Sequence, residues 1–472
     1  MKNDCKSSNW HGTALRAALT VATVGLPLLA WAQDPATAPV VEAAVEAAKP
    51  DTGDTAWMMV SAALVMLMTP GLALFYGGMI RTKNVLNTLM QSFVALSVIT
   101  ILWVVAGYSF AFAPGSTPFY GGTDYLMLGE KVNQNVFELN GTKYTFPHQV
   151  FMMYQLMFAI ITPALISGAI ADRMKFGAYI AFISIWHFLV YVPMAHMVWG
   201  QGGYLFGLGA LDFAGGLVVH ITSGVSALVL AIMLGKRTLT PKDDTRPHNL
   251  PMTLIGTALL WFGWFGFNAG SAGASGGLAG SAFLVTHVAA ATAGIVWIII
   301  EWFAIGKPTA LGFATGAVAG LVAITPASGF VDVTAALIIG AGVSFISYFA
   351  IKLKSKFGYD DTLDVFGVHA IGGIWGAIAT GLFAKVSINA ANTTGDGLLV
   401  GGGTKLIGIQ LISVLIAVVV AVVGTVLIAG LLKAMGILRA TEKEEEIGLD
   451  QTQHGEEAYN GMEGADGAFA NR

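Results

Sequence analysis

Long apolar stretches recur along most of the chain and constrain its fold more strongly than any other feature. From Ala56 onward, about eleven of them approach the roughly 20 residues that a helix needs to cross a bilayer. They lie at residues 56–79, 88–112, 150–170, 177–199, 213–235, 251–268, 281–304, 309–326, 330–351, 365–384 and 406–436. Because a helix satisfies every backbone group within such a segment, the sequence predicts an all-α membrane protein with eleven transmembrane helices.

The scarcity of charge excludes several other classes of protein. Only 11% of the residues are charged, against about 25% in soluble domains, and the formal net charge is −4. A disordered chain needs low hydrophobicity and high net charge, and a nucleic-acid partner needs clustered basic residues. The single cysteine, Cys5, leaves no thiolate metal site in the rest of the chain. We expect a chain that lies in a lipid bilayer, with no nucleic-acid partner and no cofactor.

The N-terminal segment has the features of a cleavable signal peptide. Residues 1–32 combine a basic beginning, an apolar run over residues 17–29 and the small-x-small sequence AWA at residues 30–32. An additional transmembrane helix is the alternative, but the apolar run is short of the roughly 20 residues that a span requires. Cleavage after residue 32 would leave residues 33–55 as an external linker.

The distribution of basic residues predicts the orientation of the bundle. With the first end outside and an odd number of spans, the C-terminal tail is cytoplasmic. Loops expected inside carry Arg81, Lys83, Arg173, Lys175, Lys236, Arg237, Lys242, Arg246, Lys307, Lys352, Lys354 and Lys356, whereas loops expected outside carry Lys131, Lys143, Lys385 and Lys405. This asymmetry is the positive-inside pattern.

The tail, residues 437–472, is polar and acidic, with five charged residues in succession at residues 442–446. Runs of charge are commonly no more than solvated surface. The alternatives are that the tail lies against the cytoplasmic face of the bundle or binds a soluble partner.

A few ionisable residues fall within the apolar segments, where burial is expensive and therefore suggests function. Asp212 and His220 belong to the fifth span, and Asp364 and His369 to the tenth. In both spans an aspartate precedes the helix, small residues flank this aspartate, and a histidine lies within the helix. Each span ends a block of five, and two blocks of odd span number have opposite orientations, so we predict an inverted 5+5 repeat with one final helix.

The two histidines are expected to meet near the midplane of the membrane. Desolvation favours their neutral forms, and two neutral imidazoles can share a hydrogen bond and relay a proton. Neither has a carboxylate three or four residues away, which argues against a metal site and against a hydrolase triad. His187, His196 and His287 also lie in apolar surroundings, and for any of these histidines a packing role is the alternative.

Aromatic residues form the second unusual set. Trp264, Phe265 and Phe267 alternate with glycines and precede Ser271, while Tyr154, Phe158 and Trp199 lie in the third and fourth spans. An interfacial aromatic belt is the simpler interpretation for most of the tryptophans. However, aromatic faces also attract small cations by about 0.5–2 kcal/mol, and a serine hydroxyl adds an acceptor for an N–H cation.

Several motifs in a fixed order resemble those of the ammonium transporter (Amt/Mep/Rh) family, in particular its bacterial Amt-type members, over nearly all of residues 56–460. They are FYGG (75–78), RTKN (81–84), ADRMKF (171–176), AHMVWG (195–200), DFAGG (212–216), PHNLPM (247–252), GWFGFNAGS (263–271) and DVFGVH (364–369). The tail sequences GLD (448–450) and HGE (454–456) resemble those of members regulated by PII-type signalling proteins. The resemblance implies that residues 56–436 form an ammonium transporter domain in the plasma (inner) membrane of a bacterium. It also implies that residues 437–472 form a regulatory tail.

The resemblance implies a role for each candidate residue. Trp199 and Ser271, with Tyr154 and Phe158, would form an external recruitment site for ammonium. Phe158 and Phe267 would be the stacked gate below it. In the lumen, Trp264 would line the wall, His220 and His369 would be the twin histidines, and Asp212 would hold the fifth helix and favour the cation. Many relatives have phenylalanine at position 154, so the Tyr154 hydroxyl could add an acceptor there.

The expected activity is transport of ammonium, with methylammonium as an alternative substrate, for nitrogen assimilation by a homotrimer with one pore per subunit. The cation would lose its proton near the gate, ammonia would cross the apolar pore, and the histidines would relay the proton, so that net charge moves. The alternatives are a neutral channel for ammonia or another small solute, an ammonium sensor acting through the tail, and an intramembrane enzyme. The enzyme is disfavoured because no nucleophile with a placed base is visible.

Overall fold

The computed structural model describes residues 49–115, 117–239 and 245–459. The predicted signal peptide, the linker up to residue 48 and the end of the tail from residue 460 therefore lie outside the described residues. The helices are α1 Thr52–Met79, α2 Thr82–Phe112, α3 His148–Ile170, α4 Phe176–Leu208, α5 Gly216–Leu234, α6 Leu250–Ala272, α7 Gly277–Ile305, α8 Ala310–Ile324, α9 Val333–Phe357, α10 Phe366–Phe383, α11 Thr404–Ala434 and α12 Glu442–Ile447.

Ten of these helices in the described part of the chain are long and apolar enough to cross a membrane. The remaining apolar helix, α8, lies where the eighth span is predicted but has 15 residues. At about 1.5 Å per residue it is shorter than the roughly 30 Å hydrocarbon core of a bilayer. The protein is a multi-pass helical membrane protein, as the apolar stretches predict.

The start of the first helix and the segment between α2 and α3 differ from the sequence prediction. Helix α1 begins at Thr52, because the Asp51 side chain caps it by accepting a hydrogen bond from the Asp54 N–H (2.8 Å), so the end of the predicted linker is helical. The segment between α2 and α3 contains a β-hairpin, which the all-α prediction lacked. Its strands are β1 Phe137–Leu139 and β2 Thr142–Tyr144, paired antiparallel.

The helices differ in how deeply they are buried. In the most apolar stretch of each helix, the share of buried residues is 83% for α3 and 78% for α5, against 28% for α2 and 33% for α11. Helices α3 and α5 therefore form the centre of the bundle, and α2 and α11 present much of their surface to the surroundings. Helix α1 packs along α6, and α5 crosses α10. These are the equivalent pairs of helices in the predicted inverted repeat.

Glycine brings α5 and α10 close together just after the two histidines. A Cβ atom added at Gly224 would lie 2.2 Å from the Ala370 backbone nitrogen, and one added at Gly373 would lie 3.1 Å from the Cβ of His220. A larger residue at Gly224 would push the helices apart. The small residues that follow each histidine in the sequence thus set the distance between the two histidine helices.

The tail lies against the loops at one end of the bundle. Glu445 is buried and accepts hydrogen bonds from Arg439 Nε (2.6 Å) and from the Thr238 backbone N–H (2.8 Å). Asp450 accepts hydrogen bonds from the backbone N–H groups of Leu86 (3.0 Å) and Asn87 (2.7 Å) near the start of α2. Of the alternatives for the acidic tail, the structure therefore favours contact with the bundle. We call this end the tail side, and the opposite end, which carries β1 and β2, the hairpin side.

Candidate functional site

The side chains of His220 and His369 meet inside the bundle, as predicted. Their Nδ1 atoms lie 3.3 Å apart, within hydrogen-bonding distance, and their rings are 5.4 Å apart with an interplanar angle of 24°. Both side chains are buried. A hydrogen bond between two Nδ1 atoms requires one imidazole to donate and the other to accept, so this pair can share one proton.

Each histidine lies in a turn of π-helix within its transmembrane helix. These turns are Gly216–Ile221 in α5 and Phe366–Ala370 in α10, and one of the four other π turns among the described residues, Phe265–Ala269 in α6, contains Phe267. Such wide turns are rare and occur frequently at functional sites. Sequence periodicity gave no indication of them.

An aromatic stack adjoins the histidines towards the hairpin side. The rings of Phe158 and Phe267 are stacked with centroids 4.2 Å apart. Trp264 packs 5.5 Å from the His220 ring and donates a hydrogen bond from Nε1 to Thr325 Oγ1 (2.9 Å). Since Phe158 lies on α3 and Phe267 on α6, the stack closes the space between two helices.

A cavity of about 160 Å³ opens beyond this stack on the hairpin side. Trp199, Ser271, Tyr154 and Phe158 all line it, so the structure brings together the four predicted recruitment residues. The Trp199 ring meets Phe158 edge to face at 6.0 Å. Gln155 also lines this hairpin-side cavity, and its Oε1 atom has no hydrogen-bond partner in the described part of the chain.

The Tyr154 hydroxyl does not stand free in this cavity. It lies 2.9 Å and 2.8 Å from the carbonyl oxygens of Gly266 and Phe267, to which it can donate, and 3.1 Å from Ser271 Oγ. Ser271 in turn donates to the Phe267 carbonyl (2.9 Å). The hydroxyl therefore ties Ser271 to the end of α6, and the idea that it adds a free acceptor finds no support in this geometry.

Asp212 caps the N-terminus of α5. Its two carboxylate oxygens accept four backbone hydrogen bonds of 2.6–3.2 Å, from Gly215, Gly216, Leu217 and Val218. Trp199 Nε1 donates to the Asp212 carbonyl oxygen (2.9 Å). One residue thus fixes both the start of the His220 helix and the orientation of the Trp199 indole.

Two further cavities continue the path from the aromatic stack. A central cavity of about 10 Å³ is lined by His220, His369, Trp264, Phe267 and other apolar side chains. A tail-side cavity of about 190 Å³ is lined by His369 and loop residues that include Asp364. Because a cavity needs roughly 10–15 Å³ to hold one water molecule, the central cavity has room for one water-sized molecule and none for a hydrated ion.

Comparison with known proteins places this pathway in a family. The model of the Ammonium Transporter Family matches residues 56–459. This chain belongs to the ammonium transporter family. An ammonium transporter of Bacillus subtilis (strain 168) is 52% identical over 410 residues, covering 86% of this chain and 98% of that protein. One of Aquifex aeolicus (strain VF5) is 47% identical over 416 residues, covering 88% of this chain and 95% of that protein.

Solved structures agree with the sequence comparison. The crystal structure of Saccharomyces cerevisiae Mep2 superposes with a TM-score of 0.75 at 35% identity, covering 83% of this chain and 88% of that chain. The curated relatives are named as transporters, which favours transport over catalysis. No group of three His, Cys, Asp or Glu side chains that could hold a metal ion occurs among the residues that the structure describes.

The counterpart of Asp212 at the start of α10 is Asp361, whereas the sequence pattern paired Asp212 with Asp364. Asp361 lies eight residues before His369, as Asp212 lies eight before His220. It accepts hydrogen bonds from the backbone N–H groups of Val365 (3.1 Å) and Phe366 (2.8 Å) at the start of α10. Burial, together with the neighbouring Asp364 carboxylate, raises the pKa of Asp361 to about 6. Asp364 itself forms an ion pair with Lys354.

Three other histidines that lie in apolar surroundings in the sequence are placed away from the pathway. His196 bridges the carbonyl oxygens of Ala111 (2.9 Å) and Thr117 (3.2 Å), and His287 is exposed on the surface of α7. His187 packs beside Tyr191 with both ring nitrogens unpartnered in the described part of the chain. None of these three lines the hairpin-side, central or tail-side cavity, in keeping with packing roles.

Proposed function

We propose that this protein transports ammonium across the plasma (inner) membrane of a bacterium by moving ammonia and a proton separately through the pathway. The observation that carries the proposal is the contact between His220 and His369 in a central cavity too small for a hydrated ion. A cation held outside that cavity can enter only after it gives up its charge.

Recruitment takes place in the hairpin-side cavity. The faces of Trp199 and Phe158 attract a cation by about 0.5–2 kcal/mol, and more where water is excluded. Ser271 Oγ supplies an acceptor for N–H groups. Asp212, buried behind Trp199 with its carboxylate directed to the backbone, adds a favourable electrostatic term without direct contact.

Deprotonation occurs at the Phe158 and Phe267 stack. Burying an isolated cation in an apolar space is far more costly than burying a neutral molecule. Ammonium can avoid this cost by losing a proton, and the neutral ammonia then passes between the rings into the central cavity. The potassium ion resembles ammonium in charge and size but has no proton to lose, so the same cavity excludes it.

The two histidines relay the proton. His220 Nε2 has no partner among the described residues and His220 lines the central cavity, so this atom can accept the proton. The Nδ1 proton of His220 then passes to His369 Nδ1, and His369 releases a proton from Nε2 towards the tail-side cavity, which it also lines. Each turnover moves one ammonia and one proton, which makes transport electrogenic.

The proposed function comes with a topology in the membrane and a trimeric assembly. We infer that α8 is the eighth of eleven spans, that α1–α5 and α6–α10 form the inverted repeat, and that the tail side is cytoplasmic. The basic loops on the tail side support this orientation. Residues 1–32 are then a cleaved signal peptide, and the active form is a homotrimer with one pathway in each subunit.

The tail is proposed to regulate transport. Asp450 connects it to the start of α2 and Glu445 to the loop after α5, while Glu442, Lys443 and Glu446 remain exposed. An exposed charged surface on a docked segment suits a soluble partner, and a PII-type signalling protein is the partner that we propose.

Uptake of labelled methylammonium by cells without their own ammonium transporters tests the substrate. We expect uptake with the wild-type protein that is suppressed by excess ammonium, and a strong loss in Asp212→Ala, His220→Ala and Ser271→Ala. Absence of uptake by a wild-type protein that is present in the membrane would overturn the proposal.

A further inference from the structure

The β1–β2 hairpin forms part of the wall of the hairpin-side cavity. Leu139, Asn140, Thr142 and Tyr144 line this cavity together with the proposed recruitment residues. The proposed function assigns no role to any of these four. One of them, Asn140, is in addition hydrogen-bonded to the backbone of Trp199, which is itself a recruitment residue. This bond connects the hairpin directly to the site where the cation is held.

The local sequence determines the conformation of the backbone at Asn140. Leu139 and Thr142 are paired across the two strands, so Asn140 and Gly141 form a two-residue loop at the tip of the hairpin. Both residues of the loop have positive φ angles, of 52° and 75°. A two-residue loop of this kind needs a left-handed conformation at both positions, and Asn-Gly is among the pairs that adopt it most readily. The tip therefore presents the Asn140 side chain from a backbone that its own sequence favours.

The Asn140 amide binds carbonyl groups at a break in α4. The regular helix ends at Trp199, and the last carbonyl groups of a helix have no N–H partner within it. Asn140 Nδ2 donates hydrogen bonds to the carbonyl oxygens of Trp199 (3.0 Å) and Gly200 (3.2 Å). Because both partners are acceptors, the nitrogen of the amide and not its oxygen faces them. Asn140 thus supplies donors that the helix itself cannot supply.

Trp199 is held from two directions. Its backbone carbonyl is bonded to Asn140, and its indole Nε1 donates to the Asp212 carbonyl oxygen (2.9 Å). The indole meets Phe158 edge to face at 6.0 Å beside the cavity. An aromatic ring attracts a cation that lies over its face within about 6 Å of the ring centre, so a small displacement of the ring weakens the attraction. The bond from Asn140 fixes the backbone from which this ring projects.

The hairpin can support Trp199 because it is attached to the rest of the protein elsewhere. The Tyr144 ring packs against Gly273 in the segment after α6, where an added Cβ would lie 2.7 Å from the ring. The Thr145 carbonyl, just after β2, accepts a hydrogen bond from the Asp51 N–H (2.7 Å) before α1. The tip therefore belongs to a segment that is held at two further places.

We propose that Asn140 is a positioning residue of the recruitment site, which holds the Trp199 backbone so that the indole face meets the incoming cation. This inference rests on the proposed function and adds to it a residue that sets the affinity for the cation. The charged residues of the hairpin, Glu138 and Lys143, lie opposite each other in the two strands and are both exposed, so the hairpin has no net charge. Its effect on the cation therefore passes through Trp199.

The test measures uptake of labelled methylammonium at increasing concentrations by cells without their own ammonium transporters. Asn140→Gly keeps the positive φ accessible and removes the donor. We expect its half-saturating concentration to rise by about fivefold, within the range for loss of one cation–π contact. The maximal rate per protein in the membrane should change by less than about twofold, because the substitution affects binding and not passage. Lys143→Ala, on the same hairpin but exposed, is the matched control with both values unchanged.

A double-mutant cycle with Trp199 distinguishes positioning from a general effect on the fold. In Trp199→Leu the indole is absent, so adding Asn140→Gly should raise the half-saturating concentration no further. A rise by the same factor with and without the indole would show that Asn140 does not act through Trp199, and would overturn the positioning role.

The outcomes separate this inference from the proposed function. Absence of uptake by a wild-type protein that is present in the membrane would overturn both. If the wild type transports methylammonium but Asn140→Gly and Lys143→Ala have the same half-saturating concentration, the positioning role of Asn140 is overturned and the proposed function stands.

Discussion

Asp212 and Asp361 occupy equivalent positions at opposite ends of the pathway. Each lies eight residues before a pore histidine, and each accepts backbone hydrogen bonds from the first turn of the helix that carries it. Asp212 adjoins Trp199 at the hairpin side, whereas Asp361 lies beside Asp364, which lines the tail-side cavity. The two caps thus fix the starts of the helices whose histidines meet at 3.3 Å.

Removing the carboxylate of Asp212 should destabilise the protein at the start of α5. In Asp212→Ala, four buried N–H groups at the start of α5 lose their acceptor. We expect the free energy of unfolding to fall by at least about 3 kcal/mol, because buried groups left without partners cost about 1–3 kcal/mol each. Thermal unfolding in detergent measures the change, and Asp212→Asn, which retains an acceptor, should lie between the wild type and Asp212→Ala. Equal stability of all three would contradict the capping role.

Asp361 should make stability depend on pH in a defined direction. Burial and Asp364 raise the pKa of Asp361 from its usual 3.8 to about 6, so between these values the folded protein holds a proton that the unfolded chain has released. The contribution of Asp361 to stability is therefore fully present below about pH 4 and is lost as pH rises to about 6. Melting temperatures measured from pH 4 to pH 7 should fall more steeply in the wild type than in Asp361→Asn. Parallel curves would show that Asp361 titrates normally.

Transport of ammonium should require both His220 and His369. Loss of one general acid or base typically costs 10²–10⁴-fold in rate, so we expect the ammonium current to fall by about 100-fold in His220→Ala and in His369→Ala. His287→Ala is the matched control, since this histidine is exposed on α7 and lies outside the pathway. Equal currents in all three variants at equal protein levels would exclude a relay.

The tail should affect rate and leave membrane insertion intact. Deletion after Leu438 removes the contacts of Glu445 and Asp450 with the loops of the bundle, and we expect ammonium uptake to change by about fivefold or more, the usual range for coupled sites. Asp450→Ala should reproduce part of this change, and Glu457→Ala, an exposed residue of the same tail, should not. Binding of a purified PII-type protein to wild-type and shortened chains tests the partner. Unchanged uptake and unchanged binding would reject a regulatory tail.

The contact between His220 and His369 could be predicted from the sequence because the residues that determine it are close to each histidine in the chain. His220 and His369 are each followed within four residues by glycines, and those glycines set the distance between α5 and α10. The apolar stretches predict the helices for the same reason, since a backbone in lipid must satisfy its hydrogen bonds within the segment. Alternation of glycine and aromatic residues likewise marks Trp264 and Phe267.

Other features depend on contacts that no local pattern carries. Asp364 stands closer in sequence to His369 than Asp361 does, but its φ of 60° and its ion pair with Lys354 leave the capping position to Asp361. Asn140 reaches Trp199 across 59 residues, and Asp450 reaches Asn87 across 363. The contacts of the hairpin and of the docked tail therefore follow only from the folded structure.

The central claim is that one proton crosses with each ammonia, and current measured in liposomes containing the purified protein tests it most directly. An ammonium pulse should give an inward current that is absent with potassium and is strongly reduced in His369→Ala but not in His287→Ala. An ammonium pulse that raises the internal pH without any current would contradict the claim and establish passage of neutral ammonia.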